Sequence, residues 1–304
     1  MSAAGTRTAC WLALIGVQAV SCGQTAEPDT TGVDGGARDA SPTLSSDGTC
    51  DLAKPYRSRY SGEGVYHATE EGGKDAIPFV DPTLTDDELT LFVHEGPRVY
   101  VSRREDLRGK FLEFVRLRGF ESLDGIASLS VSGDGRRLYF VSTLKREFPN
   151  FDRDPRLRRA VRDGDTNVYV MDAAPVLEDP MERAAVAAHE GTVFFVQAGD
   201  NGLYERTRTP EGWRSARLVV KLGGLGAASA DGNGVLPFDG MLRRAGPDEP
   251  FRFVEEVLAF QSSMLLHGFE QRVSWLGASG CRIYFTESQD GRVRPVILYT
   301  QRPL

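Results

Sequence analysis

Histidine is scarce in this chain of 304 residues, and its four copies, His67, His94, His189 and His267, stand far apart. Neither His94-Glu95 nor His189-Glu190 is completed by a second histidine at helical spacing, so no zinc-binding helix is expected and no metal site is nominated. Positive charge is also in deficit: 36 Lys and Arg against 43 Asp and Glu leave a net charge of −7. That balance argues against nucleic acid as a partner for the surface as a whole. Beyond the N-terminus no apolar run is long enough to cross a bilayer. Nucleophile signatures are missing too. Ser229 and Ser279 lie among small residues without the glycine pattern of a nucleophile elbow, and Gly224-Leu225-Gly226 lacks the βαβ frame of a nucleotide fingerprint and reads as a turn. Asp163-Gly164-Asp165-Thr166-Asn167 begins like a calcium loop. Val168 then stands where Gly is needed and Ala174 where a bidentate Glu belongs, so the stretch reads as an acidic turn entering a strand. No catalytic residue and no cofactor is predicted.

What the chain has is glycine, 33 copies of it, and a phrase that recurs. A short strand, a tight acidic or Gly turn and a more apolar strand appear at Asp81 to Val93, at Ala127 to Val141 and at Val273 to Phe285. The Asp86-Asp87, Asp134-Gly135 and Asp231-Gly232 pairs fit hairpin turns that need a positive φ. The apolar centres of the repeats fall at Leu91, Leu138, Val193, Val235 and Ile283, separated by 47, 55, 42 and 48 residues. Such periods suit four-stranded propeller blades. Further strands are expected at Arg98 to Ser102, Asn167 to Met171, Gly202 to Arg206 and Pro295 to Tyr299, with outer strands such as Phe111 to Val115 and Ala216 to Val220. The fold class is therefore all-β: a single β-propeller of four-stranded blades, five by count and six as the alternative. The last repeat has only three strands after Val273. Its fourth is expected from Tyr56 to His67, an N-terminal strand that closes the ring and removes an open sheet edge.

Residues 1–21 carry one charged side chain, Arg7, and an apolar stretch from Ala9 to Val20 that is too short to span a membrane. They read as an export signal. Ala19-Val20-Ser21-Cys22 resembles the lipobox of bacterial lipoproteins, which implies acylation of Cys22 and attachment to a membrane through lipid alone; an ordinary cleaved signal is the alternative. Residues 22–49 follow as a disordered tether with few large apolar side chains, about 30 Å in root-mean-square span. The propeller domain is assigned to residues 50–304. Within it only Cys50 and Cys281 remain, one near each end, and in an oxidising compartment they are expected to form a disulfide, two buried thiols being the alternative. A bridge closing so long a loop contributes up to about 5 kcal/mol in the chain-entropy account.

The turn-and-strand phrase Ser132-Gly133-Asp134-Gly135-Arg136-Arg137-Leu138-Tyr139-Phe140 resembles the WD-like propeller repeat of periplasmic proteins, the type found in TolB and in many bacterial lipoproteins. The resemblance covers most of residues 50–304. It implies an envelope location, protein binding and no catalytic set; propellers of that family commonly have six blades.

One insertion stands out. Between Thr143 and Asn167 the chain is longer than a hairpin needs. Asp154 to Arg162 reads as a short helix capped by Asp154 with Pro155 in its first turn. Its basic face would comprise Arg156, Arg158, Arg159 and Arg162, a candidate binding loop at the rim, with a solvated loop balanced by neighbouring aspartates as the plainer account. Two functional readings follow. One is a non-enzymatic, lipid-anchored binder of a protein or glycan in the bacterial envelope. The alternative is an extracellular polysaccharide hydrolase or lyase with acids converging in the central channel.

Overall fold

The computed structural model describes residues 66–67 and 79–301, apart from connecting stretches of which 145–154 and 257–268 are the longest. Among the described residues every regular element is a strand. A two-residue strand, β1 (Tyr66–His67), comes first. Blade one follows as β2 (Val80–Leu84), β3 (Thr90–Glu95), β4 (Arg98–Arg103) and β5 (Val115–Arg116), and blade two as β6 (Leu123–Val131), β7 (Arg137–Leu144), β8 (Arg156–Arg162) and β9 (Tyr169–Met171). Blade three has β10 (Arg183–Ala187), β11 (Val193–Gln197) and β12 (Leu203–Thr209), with β13 (Gly212–Trp213) and β14 (Arg217–Val220) both paired to β12. Blade four is β15 (Leu225–Ala228), β16 (Gly234–Pro237), β17 (Gly240–Arg243) and β18 (Arg252–Glu256). Blade five contains β19 (Phe269–Leu276), β20 (Arg282–Gln289) and β21 (Arg292–Gln301).

All strand pairings within the blades are antiparallel. The innermost strands touch in a closed cycle, β2 to β6 to β10 to β15 to β19 and back to β2. The chain is an all-β propeller, and among the described residues the cycle has five blades, not six. Ring closure follows the expected route: β1 adds to β21, with Tyr66 opposite Ile297 and His67 opposite Val296.

Four apolar clusters fill the joints between neighbouring sheets. Phe92, Val99, Val101 and Leu117 of blade one meet Leu138, Phe140 and Ala160 of blade two. Tyr139, Val141 and Leu157 of blade two meet Phe194 and Val196 of blade three. Phe195 and Leu203 continue to Val235 of blade four, and Leu91, Val93 and Tyr100 reach back to Tyr284 of blade five. A central strand such as β7 is covered on both faces, which is why Leu138-Tyr139-Phe140-Val141 is apolar without alternation.

Several sequence expectations are corrected here. The Arg156 to Arg162 segment is not a helix but β8, the third strand of blade two, hydrogen-bonded to β7 from Arg137 to Ser142. A partner strand in register outweighs a local helix signal, because β7 leaves its free edge open to be paired. The expected strand at Asn167 to Met171 supplies the outer strand β9, and among the described residues of this stretch there is no helix. In blade three the residue equivalent to Leu91 is the fully buried Phe194, one position after Val193. Phe111 lies in the blade-one core, and the outer strand begins only at Val115. Gly226 sits at a bulge within β15 rather than in a turn.

Candidate functional site

At one end of the propeller, hereafter the turn face, the hairpins joining first and second strands share a hydrogen-bond lattice. In Thr85–Thr90, Ser132–Arg137 and Ser229–Gly234 the first hydroxyl accepts from the sixth backbone N–H at 3.2, 2.9 and 2.7 Å. The fourth N–H donates to the first carbonyl at 2.9, 2.8 and 3.0 Å. Asp87 and Asp134 clamp the middle, accepting at 2.6 Å from Thr85 and Ser132. The fourth residue must adopt positive φ, and Gly135 (+71°) and Gly232 (+68°) do so freely. In blade one that position is Glu88, at +59°. Asp231 lies outside the described residues.

A second repeat lies at the end of the third strand in blades one to four. The N–H groups of Arg104, Arg162, Arg208 and Arg244 donate to the carbonyls of Leu89, Arg136, Thr192 and Asn233 at 3.0, 2.8, 2.7 and 2.9 Å, so these arginines are structural equivalents. Two of them turn inward and bind their own hairpin, Arg104 Nε donating to the Glu88 carbonyl at 2.9 Å and Arg244 Nη2 to that of Gly232 at 2.8 Å. Each then engages the preceding blade. Arg244 forms a bidentate pair with Glu205 of blade three, both contacts at 2.9 Å, and stacks on Phe251 at 4.6 Å. Arg104 donates to the Tyr284 hydroxyl of blade five at 3.0 Å, and Tyr284 donates to Glu88 at 3.0 Å, where Arg282 also binds.

The joint between blades one and two is built differently from these two. Val101 is the counterpart of Glu205: it pairs with Phe92 as Glu205 pairs with Phe195, three residues before the backbone N–H that ends the third strand. An apolar side chain thus stands where the joint of blades three and four has its carboxylate. The Tyr169 hydroxyl takes the hairpin carbonyl of Gly135 at 2.8 Å, the bond that arginine makes elsewhere. Burial pushes this phenol up to about 12, so it stays a donor. Arg162 swings outward and donates to the carbonyls of Thr166 and Asp165 at 2.7 and 3.0 Å.

A cavity of about 50 Å³ occupies the vacated place. Phe92, Val101, Leu117 and Tyr169 line its apolar part, and Arg103, Asp134, Arg162 and Asn167 its charged and polar part. Burial works to raise the Asp134 carboxyl, but the Ser132 hydroxyl, the Arg136 N–H and the nearby Arg137 and Arg136 guanidiniums prevail and hold it below the usual range. Asp86 is displaced upward by burial and by the charges of Asp87 and Asp134. Arg103 is exposed, and its guanidinium has no hydrogen bond or ion pair among the described residues.

Of the four predicted arginines, only Arg162 reaches this pocket. Strand alternation divides the set: Arg156, Arg158 and Arg162 share the face of Phe140 toward blade one, whereas Arg159 lies on the other face and pairs with Asp172 at 2.6 Å. Asp163 to Val168 is the expected acidic turn, its Asp163 N–H bound to the Val168 carbonyl at 2.9 Å. Ser229 is a buried hairpin hydroxyl. His94 is buried in blade one, 3.0 Å from Asp81 through Nε2 and 3.2 Å from the Gly96 carbonyl through Nδ1. Cys281 is buried at the start of blade five's second strand, whereas Cys22 and Cys50 lie outside the described residues. Sequence reasoning missed Arg103, Tyr169 and the equivalence of Arg104, Arg162, Arg208 and Arg244. An arginine recurring at the end of the third strand in blades one to four was the available signal.

No protein-family profile matches the chain, and no curated protein matches it in sequence. Similar solved structures exist. They include TolB from Acinetobacter baumannii, 16% identical with a TM-score of 0.40, aligned over 75% of this chain and 56% of that one. This chain thus spans little more than half the length of that TolB. A functionally unknown protein from Desulfotomaculum acetoxidans is 13% identical at a TM-score of 0.40 over 76% and 90% of the two chains. A protein from Agrobacterium tumefaciens assigned to TolB is 11% identical at 0.41 over 70% and 71%. The fold assignment rests on the chain's own closed cycle of sheets.

Proposed function

We propose that this chain is a non-enzymatic propeller of the bacterial envelope, anchored by lipid on Cys22, that presents its turn face to a protein partner. The observation that carries this reading is the pocket between blades one and two, open on the turn face where two other joints are filled by internal arginines. The composition of the inner strands supports binding over catalysis. They are rich in small residues (Ala127, Ser128, Ser130, Ala184, Ala185, Ala227, Ala228), and their only carboxylates are Asp81, buried against His94, Asp124 and Glu270. Small side chains let five sheets converge tightly on an axis and leave few acids for the paired carboxylates that glycoside hydrolysis requires.

The test is a tagged pull-down from detergent-solubilised envelope, with Asn167→Trp as a plug at the mouth. A partner kept by the wild type and lost from the plugged variant supports the reading; no plug-sensitive partner overturns it. Recovery of a glycan instead of a protein would change the partner class. In the same cells Cys22→Ala should move the protein from the membrane to the soluble fraction, and continued membrane retention would refute the anchor.

The bridge between Cys50 and Cys281 belongs to the same proposal and is supported by the burial of Cys281 beside the second strand of blade five. Non-reducing electrophoresis should show a faster band that shifts on reduction and is missing in Cys281→Ser. An unchanged band would remove the bridge.

A further inference from the structure

We infer that the pocket between blades one and two is a carboxylate-binding site for a partner peptide, the ligand standing where Glu205 stands at the joint of blades three and four. This inference rests on the binding function proposed above and names the chemistry of its ligand.

The internal repeats supply the precedent. At the joint of blades three and four, a buried carboxylate from one blade meets the arginine that follows the third strand of the next blade, bidentate at 2.9 Å. At the joint of blades one and two the arginine is kept as Arg162, the carboxylate position is Val101, and the space between is empty to about 50 Å³. Tyr169 satisfies the hairpin carbonyl that the inward arginine would have bound. Arg162 thereby keeps donor capacity beyond its two bonds to the turn carbonyls.

Charge points the same way. Arg162 binds two backbone carbonyls and no carboxylate, and Arg103 beside it has no side-chain partner among the described residues. Asp134 is the one acid lining the pocket, and its Oδ1 is already committed to Ser132 and to the Arg136 N–H at 2.6 and 2.9 Å. Asp163 and Asp165 are exposed in the adjoining turn; Asp165 offers Arg162 its carbonyl, not its side chain. Two guanidiniums, one of them held in place by the Thr166 and Asp165 carbonyls, favour a carboxylate in forked geometry.

Size and polarity narrow the occupant further. The cavity holds a few waters, enough for a carboxylate on one or two methylenes, and is far below the volume needed for a sugar ring or a nucleotide. Phe92, Val101 and Leu117 would cover those methylenes. An Asp or Glu side chain, or the terminal carboxylate of a peptide, has this chemistry.

Isothermal titration of the full-length protein in detergent tests the inference with three probes: acetyl-Ala-Ala-Glu-Ala-Ala-amide, its Gln counterpart, and acetylated pentaalanine with a free C-terminus. A carboxylate peptide should bind at least about tenfold more tightly than the Gln peptide. Which of the two carboxylate peptides binds identifies the source. Arg162→Gln should weaken that binding by about tenfold with the melting temperature unchanged, because its bonds are exposed. Val101→Glu restores the internal acid and should block the peptide. Should that variant fail to fold, Arg162→Gln and Arg103→Gln decide the matter alone. Equal binding of Glu and Gln peptides, no binding of either carboxylate peptide at about 10 mM, or indifference to Arg162→Gln overturns the inference. A plug-sensitive envelope partner that ignores Arg162→Gln would sink this site chemistry while leaving the broader function standing.

Discussion

Glu88→Ala should lower the stability of the propeller by about 3–5 kcal/mol, the range for stripping one partner from a buried ion pair. Glu88 is 5% exposed, and Arg282 and Arg104 are 2% and 7% exposed, so the substitution strands two guanidiniums away from water. Burial alone would lower the Arg282 guanidinium, yet Glu88 and Tyr284 outweigh it and raise it. The Tyr284 phenol is raised by burial and by Glu88 and stays protonated as a donor. Urea unfolding followed by circular dichroism would measure the loss as a fall in midpoint at constant slope. Glu88→Gly is the sharper comparison. It removes the charge but relaxes the +59° backbone, where Gly135 and Gly232 serve in the sister turns. It should therefore recover only about 1 kcal/mol relative to Glu88→Ala. If Glu88→Gly equals or exceeds the wild type, the ionic joint contributes nothing and the account of this residue is wrong.

Gly119→Ala should cost at least about 3 kcal/mol, through backbone collision rather than lost contacts. A Cβ at Gly119 would lie 1.8 Å from the Tyr169 carbonyl oxygen and 2.9 Å from its carbon, and φ there is +101°. No side-chain rotation relieves such a clash. The backbone at this point splices two blades, since Arg118 donates to the Asn167 carbonyl at 3.1 Å and Tyr169 donates to that of Arg118 at 3.0 Å. Gly96→Ala is the control: φ is +54° but nothing lies within 4 Å of the new carbon. Its cost should stay near 1 kcal/mol. Thermal melts of the two variants separate the claims, and a Gly119→Ala melt no lower than that of Gly96→Ala would refute the splice.

The propeller was legible because its punctuation is chemical. Hairpins that need positive φ write Asp-Gly, and central strands covered on both faces write unbroken apolar runs, so Leu91, Leu138, Val235 and Ile283 could be aligned by eye. The donated strand at Tyr66–His67 was legible by subtraction, one strand being missing from the last repeat. Strand β8 was not. Arg156 to Arg162 carries helix-favouring residues behind Asp154-Pro155, and its true state is set by hydrogen bonds to Arg137–Ser142, a pairing across a connection that local propensity does not encode. The pocket was hidden for a related reason. It arises where Val101 replaces an acid and Tyr169 replaces an arginine's bond, two changes 68 residues apart that become one feature only after sheets are stacked. Arg162 was nominated for the wrong geometry and proved to be the one member of its group at the site.

The pairing of β1 with β21 also dictates the order of assembly. His67 and Val296 are separated by nearly the whole domain, so the fifth sheet cannot be completed until β21 has been supplied. Until then blades one to four form an open arc with unpaired margins. Long-range closure of this kind is slow and leaves apolar surface available for misassociation. Joining β1 to β21 in one blade thus makes ring closure the step that covers this surface.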